Sequence, residues 1–336
     1  MTIKDIAENL GISKTSISFV LNGKAREKNI SVALETKVLA YMEQVGYRPN
    51  QFAQGLRNGK TKIIGMLVED ISDSFFSSVA RLMEEKAYNS GYKIIYASTE
   101  NNAEKAKELI QLYRARLVDG YIIAPPPGIE KDINDLIDDD LPVVLFDRSI
   151  AGVEANSVTV NNYASSYDAV LHFIENGFKN IAMITLNSDQ MQMKEREDGY
   201  CDALKRIKAS PIIEKIDYLS ESDDSIKQIE DFIIRNKEVD ALFLSTNYIA
   251  EQGLEAIQNL KLKIPDDLGV IVFDDQNFYR LFQPPITAVS QPIKNIADTV
   301  IELMLNLLGD ESEYMEVNNV ILPTEFIIRE SAIKKR

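Results

Sequence analysis

The reading of this chain turns on Thr2-Ile3-Lys4-Asp5-Ile6-Ala7-Glu8-Asn9-Leu10-Gly11-Ile12-Ser13-Lys14-Thr15-Ser16-Ile17-Ser18-Phe19-Val20-Leu21-Asn22-Gly23. Thr2 with Asp5 three residues later has the form of a helix-opening capping box. Ile3, Ile6, Ala7 and Leu10 then share one apolar stripe, and Gly11 closes that helix in a tight turn. Ser13 is placed to cap a second helix with Ile17, Val20 and Leu21 inward, which Asn22-Gly23 stops. A third helix is expected over residues 31 to 45, with Val38, Leu39 and Met42 inward and Gly46 after it. Two short helices around Gly11 fit a helix-turn-helix. In that motif the second helix enters the DNA major groove with its first residues at the base edges. Lys14, Thr15 and Ser16 are its exposed early positions, with Phe19 one turn on. Lys14 can contact guanine or phosphate, and Thr15 can bond a base edge or pack on a thymine methyl. A purely structural helical hairpin has the same spacing.

The charge distribution favours the DNA-binding alternative. The 336 residues carry a net charge of −15, which alone argues against nucleic acid. Through Lys62, however, ten Lys and Arg stand against five Asp and Glu, while the rest of the chain has 27 against 47. A basic head on an acidic body confines phosphate contact to the head. One cysteine, Cys201, and one histidine, His172, exclude a disulfide framework within the chain and leave no Cys/His zinc site. No basic, apolar leader opens the sequence and no apolar run approaches a membrane span, so a reducing cytoplasm is expected.

Outward from the head, Tyr47-Arg48-Pro49-Asn50 breaks the helical pattern. Residues 51 to 57 can form a helix of under two turns, marginal alone in water, and residues 59 to 62 read as a linker. From Ile63 the pattern becomes strand and helix in alternation. Strands are expected at 63–68, 93–97, 120–124 and 142–146, and helices at 75–90 and 103–116. The series restarts near Tyr163, with helices at 164–176, 196–208, 225–236 and 249–260 and strands at 181–185, 213–219, 241–244 and 269–273. A helix at 293–308 and a strand near 317–321 complete it. Such alternation means doubly wound parallel sheets, and two similar α/β halves imply a cleft at the carboxyl ends of their strands. The expected divisions are a head over 1–48, a hinge over 49–61 and a body over 62–336. Within the body, one half takes 62–160 with 292–320 and the other 161–291 with 321–336.

The head resembles the DNA-binding domain of the lactose-repressor (LacI/GalR) family. That family opens Thr-Ile-x-Asp-[Ile/Val]-Ala, then Gly-Val-Ser, then Thr-Val-Ser-x-Val-Leu-Asn-Gly. Here these stand as Thr2 to Ala7, Gly11-Ile12-Ser13 and Ser16 to Gly23. Its Gly-Tyr-x-Pro-Asn is Gly46 to Asn50, and its Ala-x-x-Leu hinge is Ala53 to Leu56. Leu67 to Phe76 is similar to its first core strand and Asp-Ile-Ser-Asn-Pro-Phe-Phe loop. Val118-Asp119-Gly120, Leu141 to Arg148, Arg196-x-x-Gly199-Tyr200, Phe273-Asp274-Asp275 and Gln291-Pro292 continue the resemblance through the body. Three features depart from it. Phe19 stands where many members carry Arg or His, the loop from Lys24 to Ser31 is a few residues longer, and Asn247-Tyr248 replaces an Asn-Asp pair.

The resemblance implies an α/β chain: an all-α helix-turn-helix head and a periplasmic-binding-protein-like body of two doubly wound subdomains. It implies a homodimeric transcriptional repressor that reads a pseudo-palindromic double-stranded operator. A small-molecule effector, a sugar or sugar derivative, would control it from the interdomain cleft. The implied DNA contacts are Thr2, Ser13, Lys14, Thr15, Ser16, Phe19, Asn22, Lys24, Tyr47, Asn50, Ala53, Leu56 and Arg57, with Leu56 wedged into the minor groove. The implied effector contacts are Asp73, Ser74, Phe75, Arg148, Arg196, Asn247 and Asp274. Phe75 would stack on a sugar ring, Phe76 would be core, and the two arginines also allow an acidic or phosphorylated effector. His172 and Cys201 read as structural, and Asp138-Asp139-Asp140 as a solvated loop. No metal, cofactor, catalytic residue or membrane partner is expected, nor a coiled-coil tetramer. A cytoplasmic sugar-binding protein without DNA function is the alternative that the body alone suits. An enzyme is disfavoured: there is no dinucleotide-binding glycine turn, P-loop or Gly-x-Ser-x-Gly elbow.

Overall fold

A computed structural model describes residues 2–47, 60–218, 222–309 and 316–334. The chain divides into two units, Met1–Lys62 and Ile63–Arg336. The expected hinge helix at 51–57 lies outside the described residues, and with it Asn50, Ala53, Leu56 and Arg57.

In the first unit the Thr2 amide donates to Asp5 Oδ2 at 2.8 Å, and the Asp5 amide donates to Thr2 Oγ1 at 3.3 Å. This reciprocal cap opens α1 (Ile3–Leu10), which ends at Gly11 with φ of 65°, a left-handed cap that glycine takes without penalty. Ser13 caps α2 (Lys14–Leu21) and Ser31 caps α3 (Val32–Gln44). Ile6, Ile17, Val20, Ala25, Val38 and Met42 fill the space between the three helices. Leu39, expected inward, is 49% exposed. The buried stripe of α3 runs through Val38 and Met42, and Leu39 lies about a quarter-turn away from it.

The second unit runs β1 (Ile63–Val68), α4 (Ser74–Asn89), β2 (Lys93–Ser98), α5 (Ala103–Ala115), β3 (Gly120–Ile123), α6 (Glu130–Asp138), β4 (Val143–Phe146) and β5 (Asn156–Val160). It continues with α7 (Asn162–Glu175), β6 (Ile181–Leu186), α8 (Met191–Lys205), β7 (Ile212–Ile216), α9 (Ser222–Arg235), β8 (Ala241–Leu244), α10 (Asn247–Asn259) and β9 (Gly269–Phe273). It closes with β10 (Thr287–Ser290), α11 (Ile293–Leu307), β11 (Asn319–Leu322) and β12 (Glu325–Ile327). Two six-stranded sheets result, ordered β11-β5-β4-β3-β1-β2 and β12-β10-β9-β8-β6-β7. The pairings are parallel except that of β12 with β10. Strands such as β6 and β9 are buried along their whole length, because helices cover both faces of a parallel sheet.

Several boundaries differ from the sequence reading. α8 starts at Met191 instead of 196, because its cap, Gln190, makes no side-chain cap bond and gives no start signal. Arg196 therefore sits in the second turn of α8. α6 was not anticipated, and Asp138 ends it instead of lying in a loop. β5, β10 and β12 were also missed; the last two, with four and three residues, are too short to show a period. β7 stops at Ile216, and β11 covers Asn319–Leu322 instead of 317–321.

The chain passes between the sheets three times, after β5, after β10 and after β11. Around the first and third crossings the Thr324 amide donates to Asn161 Oδ1 at 2.9 Å, and the Ser165 and Thr324 hydroxyls bond at 2.6 Å. α7 and α8 pack closely because Gly199 has no side chain: a Cβ there would stand 2.3 Å from the Tyr163 carbonyl oxygen. That approach brings Arg196, one turn earlier on α8, onto Asn162 of α7, with Nε donating to Oδ1 at 2.9 Å. Gly199→Ala must force the helices apart, and a cost of about 1–3 kcal/mol is expected in urea unfolding. An unchanged midpoint would contradict this account of the helix contact.

Candidate functional site

On the head, Lys14 and Thr15 are exposed at the start of α2, and Ser13 is exposed just before it. Ser16 is half-buried, its hydroxyl 2.9 Å from that of Ser13. Phe19 is half-buried one turn on, and the Lys28 ammonium lies 5.7 Å from its ring centroid. The loop from Lys24 thus folds back to place a cation beside Phe19 of α2. Asn22 turns its amide onto the Ser18 carbonyl and finishes its own helix. Thr2 serves the α1 cap, Lys24 is exposed, and Tyr47 packs half-buried against the head's core.

In the body, the strand ends build a narrow cavity of about 40 Å³. Asp73, Phe75, Arg148, Arg196, Asn247 and Asp274 all line it, whereas Ser74 is exposed and does not. Phe75 and Phe76 are both buried and meet edge to face at 5.0 Å, so both serve core and lining. Glu69, Asp147, Gln190, Gln192, Tyr248 and Gln291 line the cavity too, and the sequence reading missed them. Two had a signal available: Glu69 directly follows β1 and Asp147 directly follows β4, the carboxyl ends where ligands bind in such sheets.

Arg148 is 3% exposed and fully engaged. It donates from Nη2 to Glu69 at 2.6 Å, from Nε to Asp147 at 2.8 Å and from Nη1 to Asn101 at 3.0 Å. Burial disfavours its charge, but Asp147 and Glu69 reverse that and leave its pKa raised. Arg196, equally buried, lies 3.5 Å over the Phe273 ring and donates from Nη1 to the Ser245 carbonyl at 2.7 Å. Burial lowers its pKa.

Asp147 and Asp274 occupy matching places in the two halves. Each follows a strand, β4 or β9, in the left-handed region, with φ of 68° and 74°. Each donates its amide to the next strand, to Val158 and Val289. Aspartate tolerates that conformation, and such strain gathers at functional sites. Burial raises the Asp274 carboxyl, against the pull of Arg196 and of Gln291, which donates to it at 2.7 Å. Asp73 caps α4 by accepting from the Phe75 amide at 2.8 Å, and its other oxygen accepts from Asn247 Nδ2 at 2.6 Å. Gln190 Nε2 donates to Asn101 at 2.9 Å. These two contacts tie the halves across the cleft. His172 packs its ring on Phe326, and half-buried Cys201 has its thiol pushed up by burial.

Residues 2–50 match the model of bacterial regulatory proteins of the lacI family, and residues 170–332 match a periplasmic binding protein-like domain. The HTH-type transcriptional regulator RegA of Clostridium saccharobutylicum is 31% identical, over 99% of both chains. The chain belongs to the lacI family. The HTH-type transcriptional repressor PurR of Photobacterium profundum is 29% identical over 98% of both chains. Among solved structures, the lac repressor dimer bound to operator and an anti-inducer has a TM-score of 0.84 over 99% of both chains, at 21% identity. A LacI transcriptional regulator from Alkaliphilus metalliredigens complexed with D-xylulofuranose has a TM-score of 0.71 and 24% identity, over 81% of this chain and 100% of that one.

Within the family pattern, Tyr248 replaces the second member of the Asn-Asp pair. Its phenol is buried against the cleft, which pushes its pKa well up and keeps it neutral. Burial also pushes the Asp73 carboxyl up to about 6, with Asp274 and Glu69 nearby adding to the effect of burial. An acid whose folded pKa exceeds its unfolded one binds protons more tightly when folded, so its contribution to stability rises as pH falls from 7 to 4. The stability of the protein relative to Asp73→Asn should therefore increase over that window, by up to about 3 kcal/mol. Denaturant melts of both at pH 7, 5.5 and 4 check this, and a constant difference would refute the burial argument.

Proposed function

We propose that this protein is a homodimeric transcriptional repressor. It reads a pseudo-palindromic operator with α2 and is controlled by a carbohydrate effector in the cleft of the body. The observation that carries the proposal is the pairing of two features in one chain. A basic head presents Lys14 and Thr15 at the start of a capped helix, and a cleft at the strand ends is lined by Arg, Asn, Asp and aromatic side chains. Relatives matched end to end are named as transcriptional regulators and repressors. Hydroxyl-rich ligands suit planar guanidinium, carboxylate and amide groups beside aromatic rings. No helix among the described residues is long and apolar enough to cross a membrane.

Dimerisation through the body is supported by the edge strand β2. Ile95 and Tyr96 on β2 and Tyr88 at the end of α4 are 38%, 48% and 72% exposed. An uncovered apolar sheet edge is a place for a partner. A second copy would cover it, and the dimer would carry one recognition helix for each half-site.

Selection from randomised duplex DNA at about physiological salt, followed by sequencing, should enrich a palindrome. Lys14→Ala should weaken binding to it by about 1–3 kcal/mol. Tyr96→Asp should sediment as a monomer and lose most of the affinity. No enriched sequence would end the repressor reading and leave the sugar-binding alternative.

A further inference from the structure

The cleft has a surplus of negative charge and of hydrogen-bond acceptors. Four carboxylates line it, Glu69, Asp73, Asp147 and Asp274, against two guanidiniums. Arg148 is already held by Glu69 and Asp147. Arg196 is engaged by a carbonyl, an amide oxygen and the Phe273 ring. Asp73 accepts only from neutral donors, Asn247 and the Phe75 amide, and Asp274 accepts from Gln291 and the Asn247 amide with Arg196 the cation acting on it. A separate observation points the same way. Gln192 is 4% exposed and lines the cavity, and its Oε1 has no hydrogen-bond partner among the described residues. A buried acceptor left unmade is costly, so its partner is a donor that arrives with a ligand. Among the described residues no three acidic, His or Cys side chains converge as a metal ion requires.

Resting on the carbohydrate reading above, we infer that the effector is an amino sugar. Its protonated amine is received by Asp73 and Asp274, and one of its donors reaches Gln192. An ammonium brings three donors, no acceptor and the positive charge that a cleft with four carboxylates and two guanidiniums lacks. A phosphorylated sugar would add an anion to a site whose guanidiniums are already engaged. The arginines, which suggested an acidic ligand from sequence, do not provide for one. The Asp73–Asn247 and Gln190–Asn101 contacts span the cleft, so a ligand that enters between the halves breaks them.

The test is calorimetric titration of the full chain with matched sets: glucose, glucosamine, N-acetylglucosamine and glucose 6-phosphate, with the galactose and mannose counterparts. In at least one set the amino sugar should bind tenfold or more tighter than its neutral parent. Its acetylated form, which keeps the nitrogen and loses the charge, should bind no better than that parent, and the phosphate should not bind. Asp73→Asn should erase the amino preference while still melting cooperatively. A neutral or phosphorylated sugar that binds as tightly as the amino sugar, or an amino preference that survives Asp73→Asn, overturns the inference and leaves the repressor and its carbohydrate site standing. Silence from every sugar, with operator binding intact, overturns the carbohydrate reading and this inference together.

Discussion

A guanidinium with 3% of its surface exposed keeps its charge at a high desolvation cost unless anions stand beside it, and Arg148 has two, at 2.6 and 2.8 Å. Glu69 follows β1 and Asp147 follows β4, with β3 between those strands in the sheet, so this network fastens the carboxyl ends of the strands, where ligands bind in sheets of this kind. Neutralising Arg148 would leave the Glu69 and Asp147 carboxylates side by side without their cation. That makes the floor of the cleft rigid and its polarity fixed before any ligand enters.

The opposite wall is built differently. Arg196 has no carboxylate in hydrogen-bond contact and is fixed by the Phe273 ring, Ser245 and Asn162. Its position depends on Gly199 allowing α8 to press on α7. The two walls belong to different sheets joined by three crossings, with Asn161, Ser165 and Thr324 bonded to one another at two of them. Such a linkage permits the halves to turn while each stays intact. A ligand that binds the two arrangements unequally can then shift their populations, which is what regulation requires.

Much of this was legible in the sequence. Capping residues at Thr2 and Ser13 and the glycine at position 11 marked the head because local backbone chemistry alone determines them. Long buried strands and amphipathic helices marked the body, and motif resemblance named six residues that the fold brings to one cavity. What escaped notice depends on tertiary contact. Leu39 faces out because the head's packing chose another stripe, and Ser74 sits one position beyond the helix cap and misses the cleft. Gln192 could not be singled out, since α8 begins without a capping signal. Asp73 stood in plain view in a position where the family's loop pattern has asparagine, but its weight became apparent only when three more carboxylates appeared beside it.

The central claim is that one ligand in this cleft sets the affinity of the head for DNA. Fluorescence anisotropy of the selected operator duplex, with and without the tightest-binding sugar at saturation, measures that coupling directly. The account predicts at least an approximately fivefold change in operator affinity, and a ratio near one in Arg196→Ala, whose cleft has lost the guanidinium. A ratio of one in the unaltered protein, or the same change in Arg196→Ala, would contradict it.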